Sequence, residues 1–199
     1  MSTTKNKIRF GLKNVHYAKL TKTLDEDTGA YTYTYGDVKA FPGAVNLSLS
    51  PEGDASDEYA DDEIWSRLNA NNGYSGDYEY EVLPEDFATA ILGLTKTTGG
   101  VFIEKSDVDP SPFALMFEIA GDATKRRYLF YEVNTTRPSD EGSTKTDSIS
   151  PIHGTMTFAA RPRSTDKKVK AYVDEGATDY STWFSKVWEE STTTTTSGS

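Results

Sequence analysis

The strongest constraint on this chain is an alternation of period two in its aromatic residues. Tyr31, Tyr33 and Tyr35 are separated by threonines, and Tyr78, Tyr80 and Val82 are separated by Glu79 and Glu81. Only an extended strand turns that spacing into one apolar face and one polar face. Apolar alternation predicts further strands, giving the series 8–18, 31–39, 44–50, 64–70, 77–82, 101–105, 113–120, 126–135, 152–160 and 169–174. Turn signals fall between them at Asp27-Thr28-Gly29, Pro51-Glu52-Gly53, Asn71-Asn72-Gly73, Gly99-Gly100, Gly121-Asp122 and Pro138-Ser139. Twelve Tyr, nine Phe and three Trp make the apolar residues unusually aromatic, which suits strands better than helices. The expected fold is mainly β, an antiparallel sandwich or barrel in a single domain over 1–190.

Two helices interrupt the pattern. Over 84–92, Pro84 suits the first helical position, Glu85 and Asp86 complement the helix dipole, Phe87 and Ile91 share a face, and Gly93 can end the helix. Over 180–189, Tyr180, Trp183, Phe184, Val187 and Trp188 form one broad apolar stripe at helical spacing. Trp183, Phe184, Val187 and Trp188 are therefore candidates for docking a C-terminal helix on a partner surface. The end of the chain, 191–199, has no apolar residue and is expected to be disordered.

The residues offer little for catalysis. There is no Cys, so thiolate chemistry and Cys-based metal sites are excluded. His16 and His153 stand alone, without metal-binding or nucleophile-base spacing. Thr97-Thr98-Gly99-Gly100 lacks the Lys of a phosphate-binding loop and reads as a hairpin turn. The acidic stretches 25–29 and 54–63 lack the alternation of a calcium loop. No enzyme and no cofactor is expected. A net charge of -10 opposes adhesion to DNA or to anionic membrane. With no 18-residue apolar run and no apolar leader, neither a membrane span nor secretion is expected, so synthesis belongs in the cytoplasm.

A series of segments carries a resemblance. The opening Asn6-Lys7-Ile8-Arg9-Phe10-Gly11-Leu12-Lys13-Asn14-Val15-His16-Tyr17-Ala18, then Pro42-Gly43-Ala44-Val45-Asn46-Leu47-Ser48-Leu49-Ser50-Pro51-Glu52-Gly53, Tyr59-Ala60-Asp61-Asp62, Asn71-Asn72-Gly73-Tyr74-Ser75-Gly76 and Leu83-Pro84-Glu85-Asp86-Phe87 resemble, in order, the major tail proteins of siphophages and prophages of Gram-positive bacteria. Pro112-Phe113-Ala114-Leu115-Met116-Phe117-Glu118, Arg126-Arg127, Arg137-Pro138-Ser139 and the stretch 179–187 continue it. The resemblance implies a structural virion protein: hexameric rings stacked into a tail tube, through which DNA passes without specific binding during ejection. It also implies a tape measure protein inside the tube and tail terminator and distal tail proteins at its ends. The Thr-rich end and the lack of an appended immunoglobulin-like domain depart from some relatives. A carbohydrate-binding β-sandwich module remains the alternative for an acidic, aromatic-rich β domain, although period-two placement favours core aromatics.

Within the tube reading, 50–74 is too acidic to build core and is expected to be a mobile loop or hairpin that orders on assembly. Asp54, Asp57, Glu58, Asp61, Asp62 and Glu63 are then candidates for the contact between rings. Asp77, Glu79 and Glu81 share the non-aromatic face of one strand. Three carboxylates on one face suit water better than a dry interface, so they are candidates to line the lumen.

Overall fold

The computed structural model describes residues 10–60, 62–139, 142 and 152–190, and for 55–60 and 64–69 the course of the backbone. The tail 191–199 and Asp61 lie outside the described residues. The fold is mainly β and antiparallel, as expected. In chain order the strands are β1 (Leu12–Leu24), β2 (Tyr31–Tyr35), β3 (Lys39–Ala40), β4 (Ala44–Glu52), β5 (Ala55–Ala60), β6 (Glu63–Asn69) and β7 (Gly73–Tyr80). After α1 (Glu85–Ala90) come β8 (Thr95–Lys96), β9 (Phe102–Ile103), β10 (Phe113–Ile119), β11 (Arg127–Thr135), β12 (Gly154–Ala160) and β13 (Lys170–Val173).

The main sheet runs β2-β1-β10-β11-β12-β7-β4, with β3 beside β1 and β13 beside β11. Both β1 and β11 change partners part-way along one edge. His16 and Tyr17 of β1 pair with β3, and 20–24 pair with β2. On β11, 127–130 pair with β13 and 133–135 with β12. These forks let the sheet curl. Phe41, just beyond β3, touches Tyr17 of β1 at 6.3 Å and Tyr78 of β7 at 5.1 Å between ring centroids, although several strands separate β1 from β7 in the sheet order. The result is sandwich-like, closed around one aromatic core.

That core holds Tyr17, Phe41, Tyr78, Tyr80, Phe87, Phe113, Phe117, Phe130 and Phe158 with Val15, Leu115, Val133 and Met156. Edge-to-face pairs such as Tyr17–Phe87 at 4.9 Å and Phe87–Phe113 at 5.4 Å add geometric preference to area burial. The predicted first helix is present as α1. Pro84 precedes it with φ -63, Glu85 and Asp86 sit in its first turn, and Phe87, Ile91 and Leu92 cover the core.

The centre of the sheet is buried on both sides. Phe113, Leu115 and Phe117 of β10 enter the aromatic core, whereas Ala114 and Met116 enter a second cluster with Ala18, Leu129, Tyr131 and Val173. A C-terminal strap, 178–190, covers that second cluster with Trp183 and Val187.

The strap is not the helix that its spacing predicts. It is a 3-10 turn at Thr178–Tyr180 followed by further turns. In an α-helix the Tyr180 carbonyl would accept from Phe184 N. Here it accepts from Trp183 N at 3.4 Å and from Nη1 of Arg127. Thr182 Oγ1 donates to Asp179 O, and Trp188 Nε1 to Asp179 Oδ2 at 2.8 Å. Side chains from within and outside the segment thus take over the groups an α-helix needs. Among the described residues no helix is long and apolar enough to cross a membrane.

Candidate functional site

Strands β4, β7 and β12 lie side by side, and their alternation sorts two kinds of residue onto two faces. Toward the core point Leu47 and Leu49 of β4, Tyr78 and Tyr80 of β7, and Met156 and Phe158 of β12. On the opposite face the register pairs Ser48 with Asp77 and Asp77 with Thr157, then Asn46 with Glu79 and Glu79 with Thr155, while Ser50 pairs with Ser75. Asn46, Ser48, Ser50, Asp77 and Thr157 are exposed, and Ser75, Glu79 and Thr155 half-buried. The three strands contain no Lys or Arg. The face is therefore hydroxyl-rich and anionic, with a cation at one end, where exposed Arg161, next after β12, pairs with Glu52 of β4.

Strands β4 and β7 approach closely at Gly76. A Cβ there would meet the Ser48 carbonyl oxygen at 1.7 Å, so only glycine lets β4 keep its place beside β7. Thr157 Oγ1 donates to Asp77 Oδ1 at 3.0 Å across the strands. Of the three acidic candidates for the lumen, Asp77 and Glu79 stand on this face. Glu81 lies one residue beyond β7, where it is exposed and faces His153 Nδ1 at 3.5 Å. Beneath the face, burial holds the Tyr78 hydroxyl well above its ordinary pKa, and that hydroxyl has no hydrogen-bond partner.

The acidic candidates for assembly belong to a hairpin that extends β4 and β7. Its strands, β5 and β6, pair with each other from Ala55↔Asn69 to Ala60↔Glu63 and form a separate two-stranded sheet. Bonds from Asn72 N to Glu52 O and from Ala70 N to Asp54 O join the two ladders. Segment 50–74 is thus a hairpin, one of the two forms its composition allowed. Asp54, Asp62 and Glu63 are exposed. Asp57 and Glu58 lie on β5, and their side chains, like Asp61, are outside the described residues.

The four aromatic and aliphatic candidates of the strap come together as a docking element. Trp183 and Val187 are buried, and Phe184 and Trp188 are half-buried. Trp188 stacks on Trp183 at 6.2 Å, and Phe184 stacks on His16 at 4.7 Å. Charged groups that sequence reasoning did not single out hold the ends. Arg127 lies over Tyr180 at 3.8 Å and Phe184 at 4.8 Å. Arg163, only 4% exposed, grips Asp166 and Glu189 and lies over Tyr131 at 4.7 Å.

Buried Glu118 accepts from Asn14 Nδ2 at 3.2 Å and from Arg127 Nε at 3.2 Å, and pairs with Lys13 at 3.0 Å. Burial pushes its carboxyl up, but these three partners outweigh burial and hold it below the ordinary carboxylate range.

The acidic turn 25–29 has a structural use. Asp25 Oδ1 accepts from Asp27 N and Thr28 N, which lowers its pKa and closes the β1–β2 turn. Thr97 N donates to Val101 O and Gly100 N to Thr97 O, making the Gly-Gly stretch a hairpin turn between β8 and β9. Among the described residues no group of three or more His, Cys, Asp or Glu is placed to hold a metal ion.

The hydroxyls on the open face were not singled out in the sequence. Their signal was present: Asn46-Leu47-Ser48-Leu49-Ser50 and Thr155-Met156-Thr157-Phe158 alternate as strictly as the tyrosine strands. No family model matches the chain, and no curated protein matches it.

Proposed function

We propose that this chain is the repeating subunit of a phage tail tube, six copies closing a ring and rings stacking around a bore that conducts DNA during ejection. The observation that carries the reading is the open face of β4, β7 and β12. A conduit for a polyanion needs a wet wall that does not adhere to phosphate, and a face of hydroxyls and carboxylates whose end cation, Arg161, is tied to Glu52 meets that need. Six copies of this chain would carry about -60.

Further features support the same reading. The sheet path ends at β2 and β4, whose outer edges offer backbone groups for pairing with a neighbour. A heterologous contact of that kind closes a ring when its rotation allows. The β5–β6 hairpin, with exposed Asp54, Asp62 and Glu63, serves the contact between rings. A tape measure protein within the bore, terminator and distal tail proteins at the ends, and a place in the virion tail belong to the same proposal, which includes no catalytic step. The open face carries no aromatic ring on which a sugar could stack, so we favour the tube over a carbohydrate-binding module.

Negative-stain images of purified protein test the assembly: rings or tubes are expected, and featureless single particles at every concentration would overturn it. Replacing Asp77 and Glu79 by Lys tests the wall. The variant should assemble normally but pass DNA slowly at low salt, and parental passage at low salt would remove these residues from the bore.

A further inference from the structure

The strap is held by a different kind of bond from everything it covers. Each strand of the main sheet is fixed by a backbone ladder. The backbone bonds recorded within the strap instead run locally, Tyr180 N to Ala177 O, Trp183 N to Tyr180 O and Ser185 N to Thr182 O. Side chains alone join it to the sheet: Trp183 and Val187 in the apolar seat, Phe184 on His16, Tyr180 Oη to Lys125 O, Arg127 to the Tyr180 carbonyl, and Arg163 to Glu189. Lifting the strap therefore breaks no sheet hydrogen bond among the described residues.

The seat is specific as well as apolar. Ala18 and Ala114, both fully buried, share one cluster with Trp183, Met116, Leu129, Tyr131 and Val173. Arg127 and Arg163 mark its two ends and so fix the direction and register of whatever lies in it. The link from β13 to the strap is short, and Gly176 within it has φ +97 with no atom within 4 Å of where a Cβ would stand. Arg126 grips Asp174 and Glu175 N donates to Thr124 O, so the link is tied up to Glu175 and free to turn at Gly176, and short hinges favour exchange of a terminal element between copies.

We propose that the strap is an exchangeable arm: residues 178–190 of one copy occupy the seat on the β1-β10-β11-β13 face of a second copy, joining copies of this chain through contacts identical to those made within one. The partner is the chain itself, because the seat is shaped and charged for this segment. The exchange uses neither the open polar face nor the hairpin, so it stands apart from the tube reading.

The test uses the full chain with the photoreactive residue p-benzoylphenylalanine in place of Phe184. Isotopically heavy and light protein are mixed, irradiated over a range of concentrations, digested and analysed by mass spectrometry. Heavy–light peptide pairs joining position 184 to the segment around His16 are expected, rising with concentration, together with a band at twice the chain mass. Links only within one isotope at every concentration would overturn the proposal. A second variant, lacking Gly176 and Ala177, shortens the hinge so that the strap no longer reaches its own seat. It should sediment as an oligomer with parental Trp fluorescence, whereas a monomer that binds a hydrophobic dye would count against exchange. Absence of rings or tubes with mixed links present would fail the tube and leave the arm intact.

Discussion

The outer surface of the curled sheet has two halves built on opposite principles. Over β1, β10, β11 and β13 it is apolar, ringed by Arg127, Arg163 and Glu118, and covered by the strap. Over β4, β7 and β12 it is bare, with serines, threonines and carboxylates facing outward. Both halves share the aromatic core beneath. The covered half shows how a chain stabilises itself with a segment that is neither α-helix nor strand, and the bare half shows strands kept free of apolar burial on one side. A sheet can thus reserve one stretch of its surface for solvent or partners only if another stretch supplies the second layer that folding needs.

The largest expected effect is on the covered half. Trp183→Ala should cost about 3 to 5 kcal/mol, because the seat cannot collapse around the lost indole. Chemical denaturation measures it, and a change below about 1 kcal/mol would mean that the strap is not part of the core.

Acid should also act on that half. The lowered pKa of Glu118 contributes stability that is present above the ordinary carboxylate range, near pH 4.3, and lost as pH falls through its lower folded value. Melting curves across that range should therefore have a shallower acid limb in Glu118→Gln than in the parent. Equal slopes would place the acid sensitivity elsewhere.

A smaller effect of opposite sign belongs beneath the bare half. Tyr78→Phe removes a buried hydroxyl that has no partner and should stabilise the protein by about 1 kcal/mol, readable as a raised Tm. Destabilisation would reveal a hydrogen bond to that oxygen. The smallest effect is on the bare surface itself. Asp77→Asn should change stability by no more than about 0.5 kcal/mol, since it removes no buried contact. A larger loss would show that the face is structural rather than reserved.

How much of this was legible in the sequence follows the same division. Period-two alternation is local, so Tyr78 and Tyr80 are read inward and Asp77 and Glu79 outward without knowledge of any neighbour. The strap divides differently. Its spacing brings Trp183 and Val187 into one buried cluster, but the segment is not an α-helix, and Arg127, 53 residues away in sequence, binds the Tyr180 carbonyl. Arg163, Glu118 and Glu132 are buried charges, and only the tertiary fold supplies their partners. β5 lacks apolar alternation, and its place is set by pairing with β6 rather than by burial visible in the sequence.

The double-sided burial of β10 has a consequence in time. Six of its seven residues are buried, three of them in the aromatic core, and the strand is hydrogen-bonded to β1 on one side and β11 on the other. Neither lifting the strap nor loosening the hairpin frees its amides, so their protons trade with solvent only when the whole sheet opens. β10 thus works as the molecule's clock: its exchange rate counts complete unfolding events, while the strap and the hairpin run on faster hands.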